Sequence, residues 1–192
     1  MNNQKMTTKM LCYTAIFTAL VFLLTDIPKI PFPFGYAHLG DAMIFALPFY
    51  FPTRPAAVAA GAGSALADLL GGYPLWIVPT FLIKFCMVYA VFYVARPDKY
   101  ETTFFSPRLF AGILVSAGWM IGTYALCGSL LYGSGAGTAM LPGLLGKGGI
   151  NFIVAYGFIS IIKNISFLQA KRPTGKNKVY RSDGTMTDTD NE

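Results

Sequence analysis

Three ionisable side chains lie in stretches that are otherwise apolar enough for a membrane: Asp41, Asp68 and Lys84. Placing a charged side chain near the centre of a bilayer costs at least about 2.5 to 3.5 kcal/mol, so such groups usually face a partner or a cavity. We therefore consider them first for contact with a polar ligand. The alternative is a buried ion pair between Asp68 and Lys84 that only fixes helix packing.

The rest of the sequence favours binding over chemistry. Its one histidine, His38, falls in a loop, which disfavours serine triads, HExxH zinc sites and multi-histidine metal centres. The glycine-rich segment around Lys147 resembles a phosphate-binding loop, but Leu141 stands at its first glycine position and Gly148 follows the lysine. The three cysteines are far apart, with neither a disulfide framework nor zinc-ligand spacing. No cofactor or metal is expected.

The composition is that of one membrane domain. Of 192 residues, 54% are hydrophobic and only 12% are charged, and the mean hydropathy is +0.51. A sequence with this composition is too apolar for an ordinary soluble domain. The formal charge of +6 does not indicate nucleic-acid binding, because the basic residues lie in short loops and tails and not along one helix face.

The hydrophobic pattern predicts an all-α bundle of six transmembrane helices. A bilayer core needs about 17 to 25 mostly apolar residues per helix. The second helix is expected to be short, bent or tilted, because Pro48 interrupts it and Pro52 ends it. Residues 1–170 then form the transmembrane substrate-binding domain, and residues 171–192 a disordered cytoplasmic tail that touches anionic lipid. The six predicted spans are 9–27, 40–53, 55–72, 75–95, 107–132 and 147–168.

The basic residues predict the orientation in a cell membrane. Cytoplasmic loops near helix ends collect Lys and Arg. Lys29 and Lys147 are the two basic residues in the loops of the opposite side, so both termini are predicted to be cytoplasmic. Nine basic residues fall on the cytoplasmic side: Lys5, Lys9, Arg54, Arg96, Lys99, Arg108, Lys163, Lys171 and Arg172.

This orientation brings polar residues toward the outer side. Asp41 and Asp68 approach the outer mouth, and Lys84 lies about 14 Å inward at 1.5 Å per helical residue. Asn151, near the predicted outer start of the last helix, is costly in lipid unless it is hydrogen-bonded, so it is a candidate for the rim of a site. His38 is either a rim residue or a loop histidine with no special task.

Four aromatic residues are further candidates, each with a structural alternative. Tyr73 and Trp76 lie at a turn between helices, where at least one of them is expected to be an interfacial anchor. Trp119 and Tyr124 belong to a glycine-rich helix, where they either stack on a planar ligand or pack in the core.

Several motifs together resemble the S components of energy-coupling factor (ECF) transporters, and most closely the riboflavin-type group. They are Ala15 and Ala19 as AxxxA, HLGDA at 38–42, SALADLLGGY at 64–73 and the lysine of FLIK at 81–84. The resemblance implies a six-helix membrane protein that binds a vitamin or vitamin precursor from outside. It also implies docking, through Ala15 and Ala19, on a transmembrane T protein that carries two cytoplasmic ATPases. The substrate-binding residues that it suggests, by motif or by position, are His38, Asp41, Asp68, Tyr73, Trp76, Lys84, Trp119, Tyr124 and Asn151.

The cargo and the transport mode each have alternatives. Riboflavin is favoured by the family name alone, and a pyrimidine precursor of thiamine, a pyridoxine-like compound or another heteroaromatic solute fits the same residues. A stand-alone secondary permease or channel is the competing function. It predicts an internal repeat and discontinuous helices, and the two halves of the sequence show no convincing similarity. A scaffold or membrane enzyme is disfavoured by the missing catalytic set.

Overall fold

The computed structural model describes residues 8–28, 30–32, 35–97, 106–164, 179–180 and 186–187. In this part of the chain the strands are short: β1 (Ile30–Phe32) pairs antiparallel with β2 (Gly35–Ala37), and β3 (Val179–Tyr180) with β4 (Met186–Thr187). Apart from β3 and β4, the predicted tail of 171–192 lies outside the described residues. The described α-helices number six: α1 (Thr8–Asp26), α2 (Gly40–Tyr50), α3 (Thr53–Leu70), α4 (Ile77–Ala95), α5 (Pro107–Tyr132) and α6 (Ser134–Asn164).

The helices confirm the predicted all-α class and part of the predicted membrane topology. Within the described residues, four segments are long and apolar enough to cross a bilayer, namely Thr8–Asp26, Pro74–Ala95, Pro107–Tyr132 and Ser134–Ile159. They correspond to α1, α4 with the 3-10 turn before it (Pro74–Trp76), α5 and most of α6. The crossing of the membrane by α2 and α3 stays a prediction, as does the orientation of the termini.

Helix α2 is short and lies at the centre of the bundle. It has 11 residues and every one from Gly40 to Phe49 is buried. It packs against α1, α3, α4 and α6. Phe51 is extended, with φ −134° and ψ 149°, as expected of a residue that precedes a proline. The predicted shortness of α2 thus has its physical cause at Pro52, and Asp41 in its first turn is enclosed by neighbouring helices.

Small residues let α3 approach its neighbours closely on two sides. A Cβ added at Gly63 would lie 2.6 Å from the backbone oxygen of Thr18 in α1, and one at Gly61 would lie 2.9 Å from the ring of Phe81 in α4. Membrane helices pack through such small residues because lipid provides no hydrophobic driving force between helices. Helix α3 is therefore packed closely against both α1 and α4.

Helix α6 begins at Ser134, 13 residues before the predicted start at 147, so the prediction that the glycine-rich segment around Lys147 is a loop was wrong. The glycines contribute to close helix packing instead. A Cβ at Gly137 would collide with the Ala125 carbonyl and the Ser129 hydroxyl of α5, and one at Gly128 would lie 2.7 Å from the Met140 sulfur. The first half of α6 therefore packs tightly on the last turns of α5.

Candidate functional site

Asp41 joins three helices through one buried carboxylate. Its exposure is 0%, its Oδ1 accepts a hydrogen bond from Nζ of Lys84 in α4, and its Oδ2 lies 3.3 Å from Nζ of Lys147 in α6. Lys84 and Lys147 are themselves 1% and 7% exposed. Removing one member of a buried ionic group leaves an uncompensated charge, which is strongly destabilising. We call these three side chains the charged cluster. Substituting one of them is expected to destabilise the protein.

The first turn of α2 places the Asp41 carboxylate between the two lysines. An anionic side chain in the first helical turn is favoured by the positive end of the helix dipole. The Leu39 N–H donates to the Leu24 carbonyl over 3.1 Å, so the start of α2 is tied to the end of α1. A Cβ at Gly40 would collide with the Thr25 hydroxyl, which is why glycine is needed where these two helices meet.

Asn151 fixes α6 against the same point. Its Oδ1 accepts the Ala42 N–H over 2.9 Å, and its Nδ2 donates to the His38 carbonyl over 2.7 Å and to the Lys147 carbonyl over 2.9 Å. His38 Nδ1 in turn accepts the Gly40 N–H over 3.2 Å. A buried amide is tolerated when its donors and acceptor are used. Since Lys147 precedes Asn151 by one helical turn, these bonds also set the position of Lys147 beside Asp41.

Aromatic rings cover one side of the charged cluster. Nζ of Lys84 lies 5.3 Å from the centroid of the Tyr124 ring, and Nζ of Lys147 lies 5.4 Å from it. Both distances are within the range of cation–π attraction. The Tyr124 hydroxyl donates to Thr80 Oγ1 over 3.0 Å, which holds the ring in place. The Trp76 ring follows, with its centroid 5.5 Å from that of Tyr124.

Six of the nine predicted substrate-binding residues meet here: His38, Asp41, Trp76, Lys84, Tyr124 and Asn151. Asp68 is buried near the C-terminal end of α3 and interacts electrostatically with Lys84. The carboxylate in contact with Lys84 is however Asp41. The predicted alternative, in which Lys84 forms its ion pair with Asp68, therefore named the wrong carboxylate. The cause is the central position of α2, which the order of helices along the chain does not reveal.

Two predicted residues lie apart from the charged cluster. Tyr73 and Trp119 are each 45% exposed. Trp119 is five residues before Tyr124, which places the two side chains about 140° apart around α5. Trp119 therefore lies on a different side of α5 from Tyr124. At the turn between α3 and α4, Trp76 is buried and Tyr73 is exposed.

Sequence reasoning missed Lys147 as a site residue, and also Thr80 and Tyr132, which hold the aromatic rings. Tyr132 accepts a hydrogen bond from Trp76 Nε1 over 3.0 Å. The hydrophobic pattern predicts that the last helix begins at 147, and this places Lys147 in a loop. The available signal was its spacing of four residues from Asn151, since side chains at i and i+4 share one face of a helix.

A second candidate surface lies on α1. Ala15 and Ala19 are exposed, and only 17% of the apolar stretch of α1 is buried inside the bundle. Internal packing therefore does not explain the AxxxA pattern. Large apolar side chains surround the two alanines on the outside of the bundle: Leu11 is 57%, Ile16 54% and Leu23 43% exposed.

The fold and the charged cluster define a small helical membrane protein with a buried polar site lined by aromatic rings. Residues 5–166 match the family of the ECF-type riboflavin transporter S component, and the chain belongs to that family. The resemblance inferred from the sequence motifs is thereby confirmed, and the chain is placed in a family of transporter subunits and not of enzymes.

Two individual relatives and one solved structure are similar to this chain. An uncharacterized protein of Pyrococcus woesei is 30% identical over 144 residues, which cover 70% of this chain and 93% of that protein. The thiamine precursor transporter HmpT of Lactococcus lactis subsp. cremoris is 27% identical over 167 residues, which cover 85% of this chain and 93% of that protein. A solved S component of a bacterial ECF transporter shares the fold, with a TM-score of 0.65 and 18% identity over 85% of this chain and 98% of that one.

Proposed function

We propose that this protein is the substrate-binding membrane subunit of an ECF-type importer. It captures a vitamin or vitamin precursor with a heteroaromatic ring from outside, and partner subunits use ATP to drive uptake. The observation that carries the proposal is the charged cluster of Asp41, Lys84 and Lys147 beneath the rings of Tyr124 and Trp76. Such a combination supplies hydrogen bonds for the polar edge of a planar solute and a flat apolar surface for its face.

The proposed cargo is riboflavin or a similar small heteroaromatic compound. The family match supports riboflavin, and the similarity to a thiamine precursor transporter supports a pyrimidine compound. Both have a planar ring with polar edges, which is the shape that the charged cluster and its aromatic side fit. The residues proposed to contact or position the cargo are His38, Asp41, Asp68, Trp76, Lys84, Tyr124, Lys147 and Asn151.

The proposed partners are a transmembrane T protein and two cytoplasmic ATPases. The exposed Ala15 and Ala19 on α1 provide a face on which another helix can approach the backbone closely. ATP hydrolysis belongs to the partners in this proposal, since the sequence around Lys147 departs from the P-loop pattern. In the proposed topology all six helices cross the bilayer and both termini are cytoplasmic.

The test is to identify the small molecule that co-purifies with the protein, and then to measure its uptake into cells. We expect mass spectrometry to find a heteroaromatic vitamin or precursor. Uptake should require the T protein and both ATPases, and it should stop when the ATPases carry an inactivating substitution. A matched variant, Tyr124→Leu, should retain little of the molecule, whereas Val115→Leu on the exposed side of α5 should retain it as the wild type does.

Uptake by this chain alone, collapsing when an uncoupler is added, would contradict the proposal and favour a secondary permease. Retention of a lipid, or of no small molecule across repeated preparations, would also count against it.

A further inference from the structure

Ser64 in α3 has a buried hydroxyl group with no hydrogen-bond partner among the described residues. Its side chain is 1% exposed. Several other helical hydroxyl groups are paired, since those of Thr14, Thr18 and Thr123 each donate to the carbonyl four residues earlier in the same helix. A buried polar group that lacks a partner lowers stability. The Ser64 hydroxyl therefore requires an explanation other than helix stability.

Close contacts on two sides of α3 define the direction in which Ser64 points. Gly61, whose direction we take as 0°, lies against Phe81 in α4. Gly63, about 200° further around the helix, lies against Thr18 in α1. Ser64 follows at about 300°, so it lies on the arc of α3 between the α1 contact and the α4 contact.

This arc is the interior face of α3. Val58 and Leu69 lie on the opposite arc, at about 60° and 80°, and they are 42% and 54% exposed. Asp68 is one turn beyond Ser64 and shares its face. Ser64 and Asp68 are buried, with exposures of 1% and 9%. Helix α3 thus directs one hydroxyl group and one carboxylate toward the interior of the bundle.

The interior face of α3 lies next to the charged cluster. Asp68 interacts electrostatically with Lys84, and Nζ of Lys84 donates to Asp41 Oδ1. Helix α4, which carries Lys84, packs on α3 and on α5. On the α5 side the Tyr124 ring centroid is 5.3 Å from Nζ of Lys84. The site therefore has an aromatic ring on the α5 side and polar oxygen atoms on the α3 side.

We infer that Ser64 and Asp68 bind a hydroxyl-bearing substituent of the cargo, next to the place where its planar ring packs. This inference rests on the proposed function and adds a residue that decides specificity and the chemical class of the bound substituent. A serine hydroxyl both donates and accepts hydrogen bonds, and a carboxylate accepts several. A hydroxyl group of the cargo would supply the partner that the described chain does not provide for Ser64.

Such a site discriminates between a cargo with the hydroxyl group and an analogue that lacks it. The analogue leaves the buried polar groups of the site unpaired, and this loss separates the two affinities. The aromatic side of the site contributes equally to both, because the ring is the same.

The experiment measures the binding of riboflavin and lumiflavin to the purified full-length protein in detergent. The two probes share the flavin ring, and lumiflavin has a methyl group in place of the hydroxylated chain of riboflavin. We expect riboflavin to bind at least about tenfold more tightly than lumiflavin. Ser64→Ala should weaken riboflavin binding about three- to tenfold, the loss expected for one hydrogen bond, and should leave lumiflavin binding unchanged.

A second pair of probes extends the test to a pyrimidine cargo. It consists of an aminopyrimidine with a hydroxymethyl group and its analogue with a methyl group in that place. We expect the same pattern, in which Ser64→Ala weakens the binding of the hydroxymethyl compound and not that of the methyl analogue.

The matched control is Ser116→Ala, measured by thermal unfolding without a probe. Ser116 is 0% exposed, and its hydroxyl donates to the Met87 carbonyl over 3.0 Å. Ser116→Ala should lower the unfolding temperature, because it removes a buried hydrogen bond. Ser64→Ala should leave the unfolding temperature unchanged or raise it, because it removes a buried hydroxyl that the described chain leaves unpaired.

Three results would overturn the inference. They are an equal change in affinity for both members of a pair in Ser64→Ala, a fall in unfolding temperature for Ser64→Ala as large as that for Ser116→Ala, and no binding of either hydroxyl-bearing probe to the wild type. None of these decides the proposed function, which depends on the co-purified molecule and on the requirement for ATPases. A heteroaromatic cargo retained equally by wild type and Ser64→Ala would leave the importer proposal standing and remove only the role of α3.

Discussion

Asn151 and Ala42 lie 109 residues apart in sequence, and a buried hydrogen bond of 2.9 Å from the Ala42 N–H to Asn151 Oδ1 joins them. This bond connects the first turn of α2 to the middle of α6, and it sets the rotation of α6 relative to α2. Because Lys147 is one turn from Asn151, the same bond brings the lysine next to Asp41. The composition of the charged cluster thus depends on one amide side chain outside it.

Replacing Asn151 by leucine should destabilise the protein by about 2 kcal/mol or more, since buried partners such as the Ala42 N–H and the His38 carbonyl lose their hydrogen bonds. Thermal unfolding in detergent measures the loss. Ile153→Ala is the control on the same helix, because its side chain is 73% exposed and its truncation should change stability much less. Equal unfolding temperatures for Asn151→Leu and wild type would show that the bonds do not hold α6.

Gly63→Ala and Gly118→Ala make the same substitution in two environments. At Gly63 the added methyl group would lie 2.6 Å from the Thr18 oxygen, so α1 and α3 must separate, whereas nothing lies within 4 Å of the same position at Gly118. We expect Gly63→Ala to lower the unfolding temperature. Gly118→Ala should leave it unchanged or raise it slightly, since alanine is the better helix former by about 1 kcal/mol. Equal effects of the two would contradict the close contact of α1 and α3.

Ala15→Trp and Ala19→Trp should abolish assembly with the T protein while the cargo still binds. Both side chains are exposed and lie away from the charged cluster, so an indole there blocks the close approach of a partner helix without changing the site. Co-purification with the T protein and ATPases measures assembly, and retained small molecule measures binding. Val115→Trp, at a 50% exposed position of α5, is the control and should assemble normally. Loss of cargo binding with assembly intact would reverse the assignment of the two surfaces.

Tyr124→Phe and Thr80→Val should each cost about 1 kcal/mol of stability, because each removes the same hydrogen bond of 3.0 Å. The double variant should cost little more than either single one, since the two side chains share one interaction. Tyr124→Leu should cost more, because it also removes the ring that faces both ammonium groups. Thermal unfolding of the four variants checks this. Fully additive losses for the double variant would show that the two hydroxyl groups act separately.

The long apolar segments were predictable from the sequence because their signal is local. The predicted boundaries of α1, α4 and α5 lie within two residues of the observed ones, counting the 3-10 turn with α4. A similarly local signal identified Asp41, Lys84 and Asn151. A charge or an amide within an apolar membrane segment requires a partner. The sequence thus determined the class of the protein, most of its helices and the polar residues that had to be accommodated.

Which partner each polar residue has was decided only by the tertiary structure. Asp41 contacts Lys84 and Lys147 because α2 lies at the centre of the bundle. The hydrophobic pattern of a helix does not show which other helices are its neighbours. The early start of α6 has a similar cause. Glycine in a sequence is compatible with both a loop and a close helix contact, and only the packing of Gly137 on α5 selects the helix. Lys147 entered the site with that helix, because side chains are placed by the packing of whole helices.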